Sequence, residues 1–230
     1  MLTRCLSACT VLACTLPSVG HAHHGLDFIL VQTAHLPERG TGYVFTRLNH
    51  FSGTEDETEI EPGVLYGVND WMALEAHAHY AKEGGESLTY ESIAPAVHFR
   101  LTPMGEPVSF GVSAEYAFAQ DSDEDDVADV TGVFSVERNG WMVAANLLYE
   151  KRSGSSGEFG YAAGARRTLR GKHGIGVEVV GSFESDGDSE VMLGYYGELS
   201  QKFTLNAGIG SSIDEGPDHA AHVTFVWRFR

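Results

Sequence analysis

From Thr41 to Arg230 the sequence divides into twelve extended runs, and no segment between them carries a sustained helical apolar period. The runs are 41–51, 56–68, 71–81, 89–101, 107–119, 127–137, 141–151, 158–169, 173–184, 189–199, 203–211 and 219–230. Each is long enough for a tilted strand to cross a bilayer. Their connections are of two kinds, and the kinds alternate. Those at 52–55, 82–88, 120–126, 152–157, 185–188 and 212–218 are long and acidic or rich in Gly and Ser. Those at 69–70, 102–106, 138–140, 170–172 and 200–202 are short. A soluble sheet has no reason to sort its loops in this way. A barrel in an outer membrane does, because its turns are short on the periplasmic side and its loops are long outside.

The faces of the runs agree with that reading. A strand points successive side chains to opposite faces. In 219–230, Val223, Phe225, Trp227 and Phe229 share one face, with His222, Thr224, Arg228 and Arg230 on the other. In 71–80, Met72, Leu74, Ala76, Ala78 and Tyr80 lie opposite Glu75, His77 and His79. Trp141, Tyr149, Tyr116 and Trp227 fall near run ends, where the aromatic girdles of a membrane barrel belong. The expected fold is all-β, an antiparallel up-and-down transmembrane β-barrel of about twelve strands spanning 41–230. A large soluble β-sandwich is the competing architecture.

With apolar faces toward lipid, the expected lumen is lined by Arg47, Glu59, Glu61, Glu75, His77, His79, His98, Arg100, Glu115, Asp129, Arg166, Glu178, Glu198, His222 and Arg228, joined by Glu137 and Glu150. Charges of both signs in a confined space either pair or stay hydrated. A ring of acids facing a few arginines sets the field of a pore, and the same residues can also fill a closed interior.

Residues 1–22 read as an export signal that is cleaved after Ala22: Arg4 precedes an apolar stretch, and Gly20-His21-Ala22 supplies small residues. Cys5, Cys9 and Cys14 all fall inside it, so the mature chain has no thiol for a disulfide, a zinc site or a nucleophile. The signal carries one basic residue and no acidic one, so its loss moves the formal charge from −17 to −18. Such a chain has no affinity for nucleic acid. Residues 23–40 depart from the alternation and read as an N-terminal periplasmic segment or an extra strand.

The terminal stretch HAAHVTFVWRFR resembles the C-terminal insertion signal of bacterial outer-membrane barrels, with Arg230 added after the aromatic Phe229. IEPGVLYGVNDWMALEA, beginning at Ile60, and SQKFTLNAGIG, beginning at Ser200, are similar to hairpins of the outer-membrane transporter family named for the meta pathway of phenol degradation. That resemblance implies a barrel that moves small molecules and carries no catalytic residues.

Three sets of residues suggest chemistry of their own. Glu75, His77 and His79, spaced two apart, offer carboxylate and imidazole to a divalent metal, with His98 as a further ligand, or they simply pair with one another. His23 and His24 beside a new N-terminus form a second candidate metal site. The acidic runs at 120–129 and 184–190 lack calcium-loop spacing and read as solvated loops. Ser211, Ser212 and His219 are the nearest approach to a lipase-type pair, without a recognisable motif around them. The function expected is passive passage or binding of a small, cationic solute, with no enzyme activity and no cofactor. A structural or adhesive barrel with acidic surface loops and a lipid-modifying enzyme are the alternatives. The expected partners are outer-membrane lipid and lipopolysaccharide, the barrel assembly machinery and the solute.

Overall fold

The computed structural model describes residues 26–52, 56–120, 125–169, 171–184, 189–213 and 219–230. The signal segment, His23, His24 and parts of both acidic runs lie outside the described residues. Twelve strands follow one another: β1 (Gly42–Ser52), β2 (Glu57–Asn69), β3 (Met72–Glu83), β4 (Thr89–Arg100), β5 (Val108–Ala119), β6 (Val127–Arg138), β7 (Trp141–Arg152), β8 (Glu158–Thr168), β9 (His173–Ser182), β10 (Ser189–Glu198), β11 (Phe203–Ser212) and β12 (His219–Phe229). Each pairs antiparallel with the next, and β1 closes the ring on β12. No expected strand boundary moves by more than two residues. The fold is an all-β, closed, antiparallel twelve-stranded barrel.

The period of two decides which way each strand faces. Across the β1–β12 seam, Val44 opposes Trp227 and Leu48 opposes Val223 on the outside, while Arg47 opposes Thr224 and Asn49 opposes His222 inside. Leu147 is 54% exposed, Leu193 58% and Ile209 68%, whereas Asn206 is 1% exposed and Glu178 not at all. Apolar side chains outside and polar ones inside reverse the arrangement of a soluble protein. In water each square ångström of that belt costs about 25 cal/mol, a cost that hydrocarbon removes. Closure leaves no strand edge with unpaired backbone groups. Trp71, Trp141, Phe203 and Trp227 rim the short-turn end, and Tyr116, Phe118, Tyr149 and Phe159 rim the long-loop end. The β6–β7 connection is a two-residue turn in which Asn139 (φ 54°) and Gly140 (φ 75°) are both left-handed. A type I′ hairpin needs this, and Asn-Gly supplies it at low cost.

Residues 26–40 contain no strand; 26–37 run inside the barrel, through its short-turn half, and 38–40 are exposed. Leu26 and Leu36 pack with Tyr43, Phe45, Leu65, Ala73 and Val226. Phe28 and Val31 pack with Met142, Ala144, Ala162 and Tyr196. The wall makes room by omitting side chains. A Cβ on Gly164 would stand 3.0 Å from the Phe28 ring, and one on Gly111 would stand 3.2 Å from the Ala34 Cβ.

An irregular segment has no ladder of its own, so its backbone groups need partners from the wall. Glu178 accepts the N–H groups of Ile29 (3.0 Å), Leu30 (2.7 Å) and Val31 (2.9 Å), and Tyr196 donates its hydroxyl to the same carboxylate. Asn146 accepts the Gln32 N–H at 2.7 Å and donates back to the Gln32 carbonyl at 2.9 Å. Asn206 donates to the Leu26 carbonyl, and Ser113 donates to the Gln32 side chain. Arg166 pairs with Asp27 at 3.0 Å while lying over the Phe28 and Tyr196 rings.

Two outcomes test this architecture. Leu147→Arg is expected to impair insertion into lipid vesicles by about 2–4 kcal/mol if the site is near the midplane, read by heat-modifiable gel migration. Glu178→Ala removes the acceptor of four hydrogen bonds, three from backbone N–H groups and one from the Tyr196 hydroxyl, each worth roughly 1.5–3 kcal/mol when charge-assisted. Amide exchange at Leu30 and Val31 is expected to speed up at least tenfold, with exchange in β6 and β7 unchanged.

Candidate functional site: the acidic chamber of the lumen

Above the inserted segment the long-loop half of the lumen is a chamber with acidic walls. Its organising feature is a row of residues in register on six neighbouring strands. Glu75 of β3 opposes Ala96 of β4, Ala96 opposes Glu115 of β5, Glu115 opposes Asp129 of β6, Asp129 opposes Glu150 of β7, and Glu150 opposes Glu158 of β8. Like charges directly opposite across strands repel, so this row costs stability unless cations or water screen it. The row descends from the rim. The Glu150 side chain is 40% exposed, that of Glu115 28% and that of Glu75 6%.

Most of the chamber's bases stand at the foot of the row. Arg47 pairs with Glu61 at 3.1 Å and reaches Glu75 at 3.9 Å. His98 Nε2 lies 3.0 Å from one oxygen of Glu75. The His77 ring lies between Glu75 and Glu115, with Nδ1 3.3 Å from the first and Nε2 3.7 Å from the second. His79 contacts Glu91 at 3.0 Å and Glu59 at 3.7 Å, and Asn49 donates to Glu59. His222 is held between Asn49 and Glu190.

The opposite, short-turn end has a different character. A recess of about 910 Å³ opens there, lined by Arg100, Arg138 and Arg228 together with Glu106, Glu137 of β6, and His35 and Glu38 at the end of the inserted segment. Arg228 faces Glu38 at 3.7 Å, Arg100 is buried with no acceptor for its Nε–H, and Lys172 pairs with Glu198 at the rim. Thus Arg166, Arg100 and Arg228 stand at one end of the lumen and the acid row at the other.

The seventeen residues expected on the lumen therefore divide into groups, with Glu150 in the acid row and Glu137 at the short-turn recess. Arg47, Glu59, Glu61, Glu75, His77, His79, His98, Glu115 and Asp129 belong to the chamber. His222 closes its β12 side. Glu178 and Arg166 hold the inserted segment, and Arg100, Glu198 and Arg228 line the short-turn end. The expected Glu75–His77–His79 set is split in two. Glu75 and His77 converge with Glu115, and His79 converges with Glu59 and Glu61. Residues i and i+2 on a strand lie about 6.5–7 Å apart, whereas facing residues on paired strands are closer. Sequence reading passed over Asp27, Gln32, His35, Asn49 and Glu190. Asn49 and Glu190 are legible from alternation, because each shares a face with a lumenal residue of its own strand. The three in the inserted segment have no period to place them. Ser211 and His219 oppose one another on the outer face, but Ser211 donates to the Ser212 carbonyl, and no hydrogen bond joins it to His219.

No family model and no curated protein matches the chain. The resemblance of the Ile60 and Ser200 segments to the phenol meta-pathway family therefore rests on those hairpins alone. Solved structures do match in shape. The KdgM porin covers 81% of this chain and 100% of its own at 8% identity, with a TM-score of 0.63. The same porin in complex with disordered oligogalacturonate gives a TM-score of 0.65 at 9% identity, with the same coverage. The NanC porin aligns over 80% of this chain and 98% of its own at 7% identity, TM-score 0.60. The CymD monoaromatic hydrocarbon channel aligns over 84% and 90% at 8% identity, TM-score 0.52. At such identities the likeness shows the fold, and the fold is the closed antiparallel barrel of outer-membrane porins.

Proposed function

We propose that the protein is an outer-membrane channel that admits small cationic solutes from the cell exterior, and that residues 26–37 govern their onward passage. The long-loop end faces outward and the short turns face the periplasm, as hairpin assembly from the periplasm favours. Export through a cleaved signal and contact with the barrel assembly machinery, outer-membrane lipid and lipopolysaccharide follow from that location.

The observation that carries the reading is the in-register row Glu115–Asp129–Glu150–Glu158 leading down to Glu75. Carboxylates aligned on four adjacent strands inside a narrow wall create a negative potential that draws cations in and excludes anions. Arg47 alone among the arginines stands at its foot. One structural neighbour is seen with oligogalacturonate, a polyanion by its chemistry. The acid row here opposes a solute of that charge, so the shared fold serves a different class of solute. The chemistry of passage needs no bond making. The row lowers the energy of a cation at each step, and spacing along it keeps any single site from holding the ion too tightly to leave.

Reversal potentials across a salt gradient in a planar bilayer test the proposal. The wild-type barrel is expected to prefer cations. The Glu115→Gln, Asp129→Asn, Glu150→Gln triple variant is expected to lose most of that preference, with the effect largest at low ionic strength. Anion preference in the wild type, or unaltered selectivity in the triple variant, overturns the assignment.

A further inference from the structure

The foot of the acid row has more than charge to offer. Glu75, His77 and Glu115 each present one ligand atom, and these atoms lie within 4.8 Å of one another. The His77 side chain is 10% exposed, and its Nδ1 is buried without a hydrogen bond. That nitrogen stands 3.3 Å from Glu75 Oε1 without hydrogen-bond alignment. A buried ring nitrogen beside a carboxylate with no hydrogen bond of its own is costly as it stands. Around an ion with bonds near 2.0–2.1 Å, neighbouring ligand atoms in a tetrahedron lie roughly 3.3–3.4 Å apart; His77 Nδ1 and Glu75 Oε1 already stand 3.3 Å apart, and the Glu115 oxygen, within 4.8 Å, would move in to complete the set.

We propose that Glu75, His77 and Glu115 form a binding site for a divalent transition-metal cation, with Zn²⁺ as the representative ion. The site rests on the reading of the chamber as cation-receiving and deepens it by assigning the class of cation. Three features support it beyond the ligand set. His98 holds the second oxygen of Glu75 at 3.0 Å, which leaves Oε1 turned toward His77. The group Glu61, Glu75 and Glu115, offset by Arg47, carries two uncompensated negative charges, and one divalent ion neutralises them. Three protein ligands leave a fourth position for water, so the ion can exchange with the solution above. The imidazole favours zinc, copper, nickel or cobalt over calcium and magnesium. The neighbouring Glu59–Glu61–His79 set is different, because Asn49, Arg47 and Glu91 already satisfy its members.

The test uses the mature chain folded in detergent, with His23→Ala and His24→Ala in every sample to remove the N-terminal histidines. Folding is checked by heat-modifiable migration, and Zn²⁺ binding is measured by titration calorimetry at constant pH. One ion per barrel is expected. His77→Ala and Glu115→Gln are each expected to weaken binding about 10-fold or more, and His79→Ala to change it less than twofold. Co²⁺ is expected to give the intense visible d–d absorption of a tetrahedral site, far stronger than that of aqueous Co²⁺, and His77→Ala to abolish the gain, a signature that loose ion pairing with acids does not produce. If folded Glu115→Gln and His77→Ala bind as the wild type does, or if His79→Ala weakens binding equally, the assignment fails. Displacement of Zn²⁺ by an equal concentration of Ca²⁺ also overturns it. Cation selectivity is read separately in the bilayer. Selectivity without Zn²⁺ binding removes the metal site and keeps the channel reading, and Zn²⁺ binding without selectivity does the reverse.

Discussion

Every backbone N–H and C=O at membrane depth needs a partner within the chain, and that requirement organises the whole molecule. Along the wall it is met by closure, with β1 paired to β2 on one side and β12 on the other. The cost of an open edge in hydrocarbon is several kcal/mol per unpaired group, so neither end strand can be left free. Once the ring is closed, alternation leaves no choice about the faces. Leu147, Leu193 and Ile209 meet lipid, and Glu178, Asn206 and His222 turn inward.

The same requirement governs residues 26–37, where strand pairing is absent. Their amides are satisfied by side chains of the wall, chiefly the carboxylate of Glu178, which takes three successive N–H groups, and the amide of Asn146, which both donates and accepts. A buried carboxylate without such donors would be expensive. The segment and the wall therefore stabilise each other, and the apolar contacts of Phe28 and Val31 add to the seating. The result is a barrel whose short-turn half holds its own core and whose long-loop half is a chamber.

The long-loop half of the lumen is acidic, whereas at the short-turn end arginines and acids balance one another. Arg166 and Arg228 pair with acids of residues 26–38, namely Asp27 and Glu38, while in the acid row of β5 to β8 one base, Arg152, pairs with Glu150 at 2.9 Å. In the proposed channel, a solute entering from the long-loop side meets the acids first. On that proposal its onward route runs past the segment that Glu178 anchors, so attraction and passage depend on different residues and can be altered separately.

Much of the fold was legible in the sequence because a period of two and a regular alternation of turns are local properties. Asn139-Gly140 marks a hairpin by its backbone preference alone, and the parity of Glu75, Glu115, Asp129 and His222 places each on the inner face. The sequence by itself determined the strand number, the faces and the sorting of long and short connections. Tertiary structure decided which inward residues meet. A one-residue slip in register would turn a strand's lumenal set to the outside, and a two-residue slip would pair each inward residue with a different partner. The alignment of Glu115 with Asp129 and Glu150, and the parting of His79 from His77, therefore exist only once the register is set, including the irregularities at Gly67/Asn69 and His79/Tyr80. The path of residues 26–37 was decided at the same level. Without periodicity, Leu26, Phe28 and Val31 signal only that they will be buried, and their location depends on the space that Gly164 and Gly111 leave and on the acceptor that Glu178 provides from far along the chain.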